Sequence, residues 1–366
     1  MMRETISGLW EELKELPAPG PRARTCLMAT LAVTLGVTAA LALHLQDVWW
    51  AAISAFMSTQ ATWPTSLQRA AMRIVGTMAG AGLAILLAPV LAHDHVAGSL
   101  LVLTFATVGG IGSLVSQHGY AWLFMGITAN LILMGSLTDP PFAFSLGVYR
   151  VIEMIVGVAS ALVIAVVIAP EGPAAAAPQA TGWSDLLGKN WQAVLHAFRA
   201  GLAIMLLPLV WSWLDLPSLP QMSISVAAVM AVPSLSADPD ETARDVMGRA
   251  AHRMLGCFFG GIAALALLWL SITAFIPWLV ALGAGIWICC HVQASTRGVG
   301  YVGAQAAIVF IITLVQGWSP PDSILPGIDR FAGMVCGLAV LLGVTAVIWP
   351  DPRPASRPSV MGDSRT

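Results

Sequence analysis

Long apolar runs recur along almost the whole chain, and short segments rich in polar residues, glycine or proline separate them. A helical run of about 20 apolar residues matches the thickness of a bilayer. The pattern therefore predicts an all-α polytopic membrane protein with about 12 transmembrane helices. The predicted spans are residues 24–45, 48–63, 70–92, 97–116, 119–137 and 146–169, followed by 196–214, 220–235, 246–270, 275–293, 299–317 and 329–349. The second and eighth spans are short, and we expect them to be tilted or partly re-entrant.

An amphipathic segment precedes each set of six spans. Residues 4–16 carry an apolar stripe at helical spacing, with charged residues opposite, which predicts a helix lying at the membrane interface. The acidic character of its charged face favours docking on protein over binding to anionic lipid. Residues 183–195 echo this segment after a linker rich in alanine and proline.

The chain contains an internal repeat. Residues 69–80 read RAAMRIVGTMAG and residues 249–260 read RAAHRMLGCFFG, with six identities in twelve at a spacing of 180. The same spacing pairs Arg150 with Arg330 and Gly157 with Gly337. This periodicity predicts a duplicated unit of about 170 residues. Because each unit holds six spans, the two repeats should be parallel and related by an axis along the membrane normal.

The repeat and the linkers together predict five parts. They are residues 1–21 (an N-terminal amphipathic helix and linker), 22–170 (the first six-span repeat), 171–195 (a cytoplasmic linker with an amphipathic helix), 196–350 (the second six-span repeat) and 351–366 (a cytoplasmic tail).

Charged residues are few, and their distribution predicts the orientation. The chain is 57% hydrophobic and 10% charged, far below the roughly 25% charged residues of soluble domains. The net charge of -2 gives no reason to expect a nucleic-acid partner. Fifteen of the 17 basic residues fall on one side of the predicted spans, which places both termini in the cytoplasm. The exceptions are Arg150 and Arg330, near the outer ends of the sixth and twelfth spans.

The repeated motif supplies the first candidate functional residues. Arg69 and Arg73 share a helix face, as do Arg249 and Arg253 in the second copy. One interpretation is that these arginines anchor the helices by reaching lipid phosphates; the other is an anion-attracting cytoplasmic vestibule with Arg73 and Arg253 as substrate-binding residues. The glycines that follow should let a neighbouring helix approach closely; they are Gly76, Gly80, Gly256 and Gly260.

Arg150, Arg330 and Glu153 form the second candidate site. Glu153 is a carboxylate inside an apolar span, where charges are costly and functional by default. Arg150 and Glu153 could form a purely local ion pair. Alternatively, Arg150 and Arg330 could face each other near the pseudo-twofold axis and bind an anion, with Glu153 as the proton-coupling partner. His252, between two arginines of the repeated motif, is a further candidate for proton coupling.

The sequence contains neither a phosphate-binding loop nor a Cys/His metal cluster, and it has no hydrolase motif. We therefore expect no cofactor, no metal site and no enzymatic activity.

The duplicated motif, the WWAAISAFM run at residues 49–57 and the TRGVGYVGAQ stretch at residues 296–305 resemble the fusaric acid resistance protein family. This bacterial inner-membrane family includes the aromatic carboxylic acid efflux pumps. The resemblance implies export of aromatic or hydrophobic weak acids, driven by the proton gradient, in some members with a periplasmic adaptor protein. It also suggests kinship with the plant aluminium-activated malate transporters, whose six-span subunits pair around an anion pathway. Only about 25 residues separate the two halves here, whereas many members carry a sizeable cytoplasmic domain.

The sequence thus predicts an inner-membrane exporter of organic anions, embedded in the lipid bilayer, with its pathway between the two repeats. A passive anion channel of the same architecture is the first alternative. The second is a membrane scaffold that transports nothing and holds partners through its amphipathic segments. Assembly into a homo-oligomer is compatible with each of the three.

Overall fold

The computed structural model describes residues 2–16, 20–136, 142–173, 183–184, 186, 188, 191–214, 219–231, 239–320 and 323–348. Within these ranges the chain forms thirteen α-helices and no β-strand. The helices are α1 (Met2–Lys14), α2 (Pro21–Ala42), α3 (Val48–Ser58), α4 (Trp63–His93), α5 (His95–Val115), α6 (Gly119–Gly135), α7 (Phe142–Ile168), α8 (Trp191–Leu214), α9 (Leu219–Met230), α10 (Pro239–Trp269), α11 (Phe275–Gln293), α12 (Gly300–Leu314) and α13 (Leu325–Ile348).

The predicted class, an all-α polytopic membrane protein, is confirmed. Among the described residues, seven helices are long and apolar enough to cross a membrane: α2, α4, α5, α7, α8, α10 and α11. Shorter apolar helices include α3, α6 and α12. The count of twelve spans stays a prediction. Most of the linker and the whole of the predicted cytoplasmic tail lie outside the described residues.

The second predicted span, residues 48–63, is helical only as far as Ser58. Eleven residues extend about 16 Å, roughly half of the 30 Å hydrocarbon core. The helix ends where side chains offer the backbone other partners: the Thr59 hydroxyl donates to the Ala55 carbonyl, and Gln60 N–H donates to the Ser66 hydroxyl. The helix of this segment is therefore short, as expected, but it ends earlier than the predicted span; that the segment is a span stays a prediction.

Helix α9 is also short, and it too ends earlier than the predicted span 220–235. Its last helical residue is Met230. Arg249 donates from Nε and Nη2 to the carbonyls of Val229 and Ala228, at 3.2 and 3.1 Å. These bonds satisfy two of the carbonyls that a helix end leaves without an intrahelical partner.

The same pairs of helices pack together in the two halves of the chain. In the first half α4 lies along α6, and α7 packs against α2, α3 and α4. In the second half α10 lies along α12, and α13 packs against α9 and α8. Between the halves, α5 packs against α8 and α11 packs against α2. Each of these contacts has a counterpart at the matching position of the other half, that of α7 with α4 being the contact of α13 with α10.

The four glycines predicted to pack helices all lie at close helix crossings. A Cβ atom at Gly76 or Gly80 would overlap a backbone carbonyl oxygen of α6, that of Ala121 or Met125. A Cβ atom at Gly256 or Gly260 would in the same way overlap a carbonyl oxygen of α12. The α4–α6 and α10–α12 crossings therefore need residues without side chains.

We expect Gly80→Ala to destabilise the protein by about 1–3 kcal/mol, because the added methyl group must push α4 away from α6. Gly82→Ala is the matched control, since nothing lies within 4 Å of a Cβ atom two residues further along the same helix. Thermal unfolding of both variants in detergent checks this expectation. Equal melting temperatures for the two variants would contradict a tight crossing at Gly80.

Helix α1 docks on the protein itself through its acidic side. The Glu12 side chain is fully buried, and its carboxylate accepts hydrogen bonds from Arg22 of α2 and from Arg297 and Ser295 beyond the end of α11. The two bonds from the α11 side are both 2.6 Å long. Desolvation by burial acts to raise the pKa of Glu12, but these three hydrogen bonds lower it to about 2. The apolar stripe of α1 stays exposed at Ile6, Trp10 and Leu13, as an interfacial helix requires.

Glu12→Gln should release α1 from the N-terminal end of α2 and the C-terminal end of α11, because the amide cannot replace the charge that two arginines surround. Hydrogen exchange should show lost protection in residues 4–14, while Glu11→Gln, which removes one exposed ion pair to Arg297, should change little. The pKa of Glu12 is depressed on folding, so its contribution is complete above its ordinary pKa of 4.5 and is lost as the pH falls toward 2. Retained protection in Glu12→Gln would mean that apolar contacts alone hold α1.

Candidate functional site

Arg73 is a buried cation near the middle of the first helix bundle. Its side chain is 2% exposed. It donates from Nη1 to the Tyr120 hydroxyl at 3.0 Å and from Nη2 to the Ser54 hydroxyl at 3.2 Å, and its guanidinium carbon lies 4.1 Å from the centroid of the Phe124 ring. In the described part of the chain, no ion pair includes Arg73. Its positive charge is therefore held by neutral oxygens and an aromatic face.

Arg150 lies in a cluster with two carboxylates. Its Nη2 donates to Asp47 Oδ2 at 2.8 Å, and its Nη1 lies 3.2 Å from Glu153 Oε2. The second contact is close enough for charge attraction but lacks hydrogen-bond alignment. Glu153 is fully buried and accepts the Asp47 backbone N–H at 2.8 Å. One guanidinium and two ionised carboxylates leave this cluster with a formal charge of −1.

The two arginines line the same cavity. Four helices of the first half, α3, α4, α6 and α7, supply its walls. The cavity encloses about 330 Å³ of empty space including its open mouth, and its lining residues are Trp50, Ser54, Arg73, Thr77, Phe124, Ile127, Thr128, Leu131, Arg150 and Met154. Trp50 also faces the Arg150 guanidinium, whose central carbon is 4.4 Å from the ring centroid. Two guanidinium groups and two aromatic side chains therefore surround one small space.

Such a lining suits an aromatic carboxylate. Guanidinium groups recognise carboxylates through charge-assisted hydrogen bonds, and aromatic walls accommodate a planar ring. A buried guanidinium without a carboxylate partner is costly. An anion that reached Arg73 would offset that cost.

The predicted grouping of these residues differs from the observed one. The sequence assigned Arg73 to a cytoplasmic mouth and Arg150 to the outer side, whereas both line one cavity. The local Arg150–Glu153 ion pair, one of the two interpretations above, is present. The Arg330 side chain lies outside the described side chains, so its predicted position opposite Arg150 stays a prediction. Helix α7 packs on α2, α3 and α4, whereas the helix of Arg330 packs on α8 and α9.

Arg253 occupies the position in the second half that Arg73 occupies in the first. It is 5% exposed, donates from Nη2 to the Ser225 hydroxyl at 3.0 Å, and donates from Nη1 to Gln305 Oε1. Gln305 stands one helix turn beyond Tyr301, as Phe124 stands one turn beyond Tyr120. Arg253 therefore has a side-chain amide as acceptor where Arg73 has an aromatic face. Both side chains are buried among the helices, which favours the anion-attracting interpretation over anchoring to lipid phosphates.

The outer members of the two arginine pairs have aromatic partners. The Arg69 guanidinium carbon lies 3.7 Å from the Tyr120 ring centroid, and that of Arg249 lies 4.1 Å from the Tyr301 ring centroid. His252 lies away from the cavity: its Nε2 is 3.3 Å from the Thr5 hydroxyl of α1. Proton coupling by His252 stays a prediction, and the location of this residue away from the cavity does not support it.

The sequence analysis missed Asp47, Ser54 and Phe124 as site residues. Asp47 lies two residues before the WWAAISAFM run that carried the family resemblance. Ser54 lies inside that run. The sequence offered a reason to consider Asp47, because it is an acidic residue close to the WWAAISAFM motif. Nothing in the sequence distinguished Phe124 from the other apolar residues of its span.

The fold and the cavity define a polytopic helical membrane protein with a charged pocket inside its first helix bundle. Residues 23–164 match the family model described as fusaric acid resistance protein-like. The predicted resemblance is thus confirmed over this part of the chain, which includes every residue that lines the cavity, and it supports a transporter-like membrane protein. No curated protein and no solved structure matches the chain. Kinship with the malate transporters stays a prediction.

Proposed function

We propose that the protein exports organic anions, chiefly aromatic or hydrophobic carboxylic acids, across the bacterial inner membrane at the expense of the proton gradient. One observation carries this proposal: Arg73 is buried without a carboxylate partner among the described residues and lines a cavity together with Arg150. Anion binding explains why a cation is kept at this depth. The match over residues 23–164 supports a transporter-like protein.

In this proposal the substrate carboxylate accepts hydrogen bonds from Arg73 and Arg150, and its ring lies between Trp50 and Phe124. Arg73 stays in place because the Ser54 and Tyr120 oxygens hold two of its donor groups. Arg150 is held by Asp47 and Glu153 when no substrate is bound.

Glu153 is the proton-coupling residue of this proposal. Uptake or loss of its proton changes the negative charge beside Arg150, and with it the affinity of that guanidinium for the substrate carboxylate. The linkage is local because Glu153 and Arg150 lie three residues apart on α7, with 3.2 Å between charged atoms.

The proposed architecture has twelve spans in two parallel six-span repeats, with both termini in the cytoplasm. Recurring contacts support it: Arg73 and Arg253 each donate to a serine hydroxyl, and Gly157 and Gly337 each lie against a backbone carbonyl of the short helix in their half. The exporter needs no cofactor and carries out no chemical conversion. A periplasmic adaptor protein and a homo-oligomer are compatible with it.

Flux into inverted membrane vesicles tests the function. Uptake of benzoate and salicylate should rise when the vesicle interior is acidified and should fall to the background level of vesicles without the protein when a protonophore is added. Benzamide, which has the same ring without the charge, should not be transported. Equal benzoate flux with and without the gradient would favour the channel, and no flux of any aromatic carboxylate would favour the scaffold.

A further inference from the structure

A second cavity lies between the two halves of the chain. Helices α5 and α6 of the first half and α8 and α9 of the second surround it, and it encloses about 450 Å³ of empty space including its mouth. Helix α6 separates it from the arginine cavity, and Ile127 lines both. We refer to it as the interface cavity.

Small side chains leave this space open. Glycine or alanine occupies much of the lining, namely Ala106, Gly109, Gly110, Gly126, Ala197, Ala200, Ala227 and Ala231. Gly109 and Gly126 are already in contact: a Cβ atom at Gly109 would stand 3.0 Å from the Gly126 Cα atom. The two helices already touch at these glycines and cannot approach more closely. The small side chains beside this crossing leave the cavity open.

Two buried acceptor atoms on this cavity have no hydrogen-bond partner. Asn130 is 1% exposed, and its Oδ1 is unpaired. His196 is 3% exposed, and its Nε2 lies 2.8 Å from the Met230 carbonyl oxygen. Because a carbonyl oxygen can only accept, Nε2 carries the hydrogen, and in the neutral ring Nδ1 is left as an acceptor. That Nδ1 is also unpaired.

The charge of the lining differs from that of the arginine cavity. Its residues include no aspartate, glutamate, lysine or arginine. A carboxylate would therefore meet the two unpaired acceptors and no cation to offset its charge, only the neutral donor groups of Asn130, Ser113 and Ser223, and a protonated amine would meet no anion. A neutral molecule with a donor hydroxyl fits both requirements, because its hydrogen can satisfy one acceptor and its body can fill a lining of glycine, alanine, leucine and isoleucine.

We propose that the interface cavity binds a small, neutral, apolar molecule with a hydroxyl group, such as a phenol, whose hydroxyl donates its hydrogen to Asn130 Oδ1 in the space beside His196. The binding site is distinct from the proposed anion site, which uses Arg73 and Arg150. It also does not depend on transport, so it can be tested by binding alone.

The test uses 4-fluorophenol and 4-fluoroanisole, which share a ring but differ in the hydroxyl hydrogen. Binding to the purified full-length protein in lipid nanodiscs is followed by ¹⁹F NMR, with protein-free nanodiscs as the baseline for partition into lipid. We expect 4-fluorophenol to bind roughly tenfold more tightly, as a buried hydrogen bond of ordinary strength requires. Equal affinities, or no saturable binding of either compound, would overturn the proposal.

Substitutions on α6 locate the site. Asn130→Leu should lower the preference for 4-fluorophenol several-fold, whereas Thr128→Val, two residues away but on the arginine cavity, should leave it unchanged. Arg73→Gln should also leave it unchanged, so this binding and the proposed anion transport can fail independently. Equal loss in Asn130→Leu and Thr128→Val would refute the assignment to the interface cavity. If Asn130→Leu does not fold, the comparison of the two ligands on the unsubstituted protein decides.

Discussion

Arg73→Gln is expected to raise the KM for aromatic carboxylates by about 10- to 100-fold. A hydrogen bond to a charged group contributes about 1.5–3 kcal/mol, and each 1.4 kcal/mol corresponds to roughly a tenfold change in affinity. Glutamine keeps an amide that can donate to Ser54 or Tyr120, so packing around the site should survive. Uptake into inverted vesicles at several benzoate concentrations measures the change, and thermal unfolding checks that the fold is intact.

Two further variants make this result specific. Arg253→Gln is the matched control from the second half, where Gln305 and Ser225 accept the hydrogen bonds of the arginine; its KM should change less than that of Arg73→Gln. Arg73→Lys should recover only part of the affinity, because an ammonium group lacks the paired donors of guanidinium. Full recovery with lysine would favour a simple anchoring role, and an unchanged KM in Arg73→Gln would remove the arginine cavity from anion recognition.

Glu153→Gln should abolish the dependence of transport on the proton gradient while leaving anion flux down a concentration gradient. The amide cannot take up and release the proton, but its oxygen can still accept the Asp47 N–H that Glu153 Oε1 accepts. Arg150 loses one of its two negative neighbours permanently and stays available to substrate. Benzoate flux is compared with and without an imposed proton gradient at constant substrate concentration.

Asp47→Asn is the control for this prediction. It removes the other carboxylate beside Arg150, 2.8 Å away, but leaves the Glu153 carboxyl able to titrate. Its flux should therefore still respond to the proton gradient. If Glu153→Gln kept a normal response, the coupling role would pass to another residue, and the anion site itself would stand. If both variants lost the response, the whole cluster rather than Glu153 alone would carry the coupling.

The position of Glu153 inside an apolar span was predictable, because hydropathy and charge can be read from a short stretch of sequence. Glu153 and Arg150 stand within one apolar span, and their spacing of three residues predicts that they share a helix face. That spacing makes possible the contact at 3.2 Å that the structure shows. The glycines after each repeated arginine pair predicted close helix crossings for the same reason.

The neighbours of each helix are decided by packing between segments that are far apart in the sequence. The pattern of apolar and polar residues does not predict this packing. Arg73 and Arg150 are 77 positions apart, and they line one cavity only because α4, α6 and α7 pack together. The partnership of Asp47 with both Arg150 and Glu153 arises in the same way, since the turn between α2 and α3 contacts α7 where those residues lie.

The sequence by itself determined the class of this protein: its apolar periodicity and sparse charge require a helical membrane protein, and its repeated arginine–glycine motif predicts close helix crossings. Only the tertiary structure decided that α3 ends at Ser58, that Arg73 meets neutral oxygens and an aromatic ring, and that Asn130 and His196 border one space between the halves. The physical reason is that burial in a bilayer is set residue by residue through local hydropathy. Partners, cavities and unpaired polar atoms are set by which helix surfaces fit together across long stretches of chain.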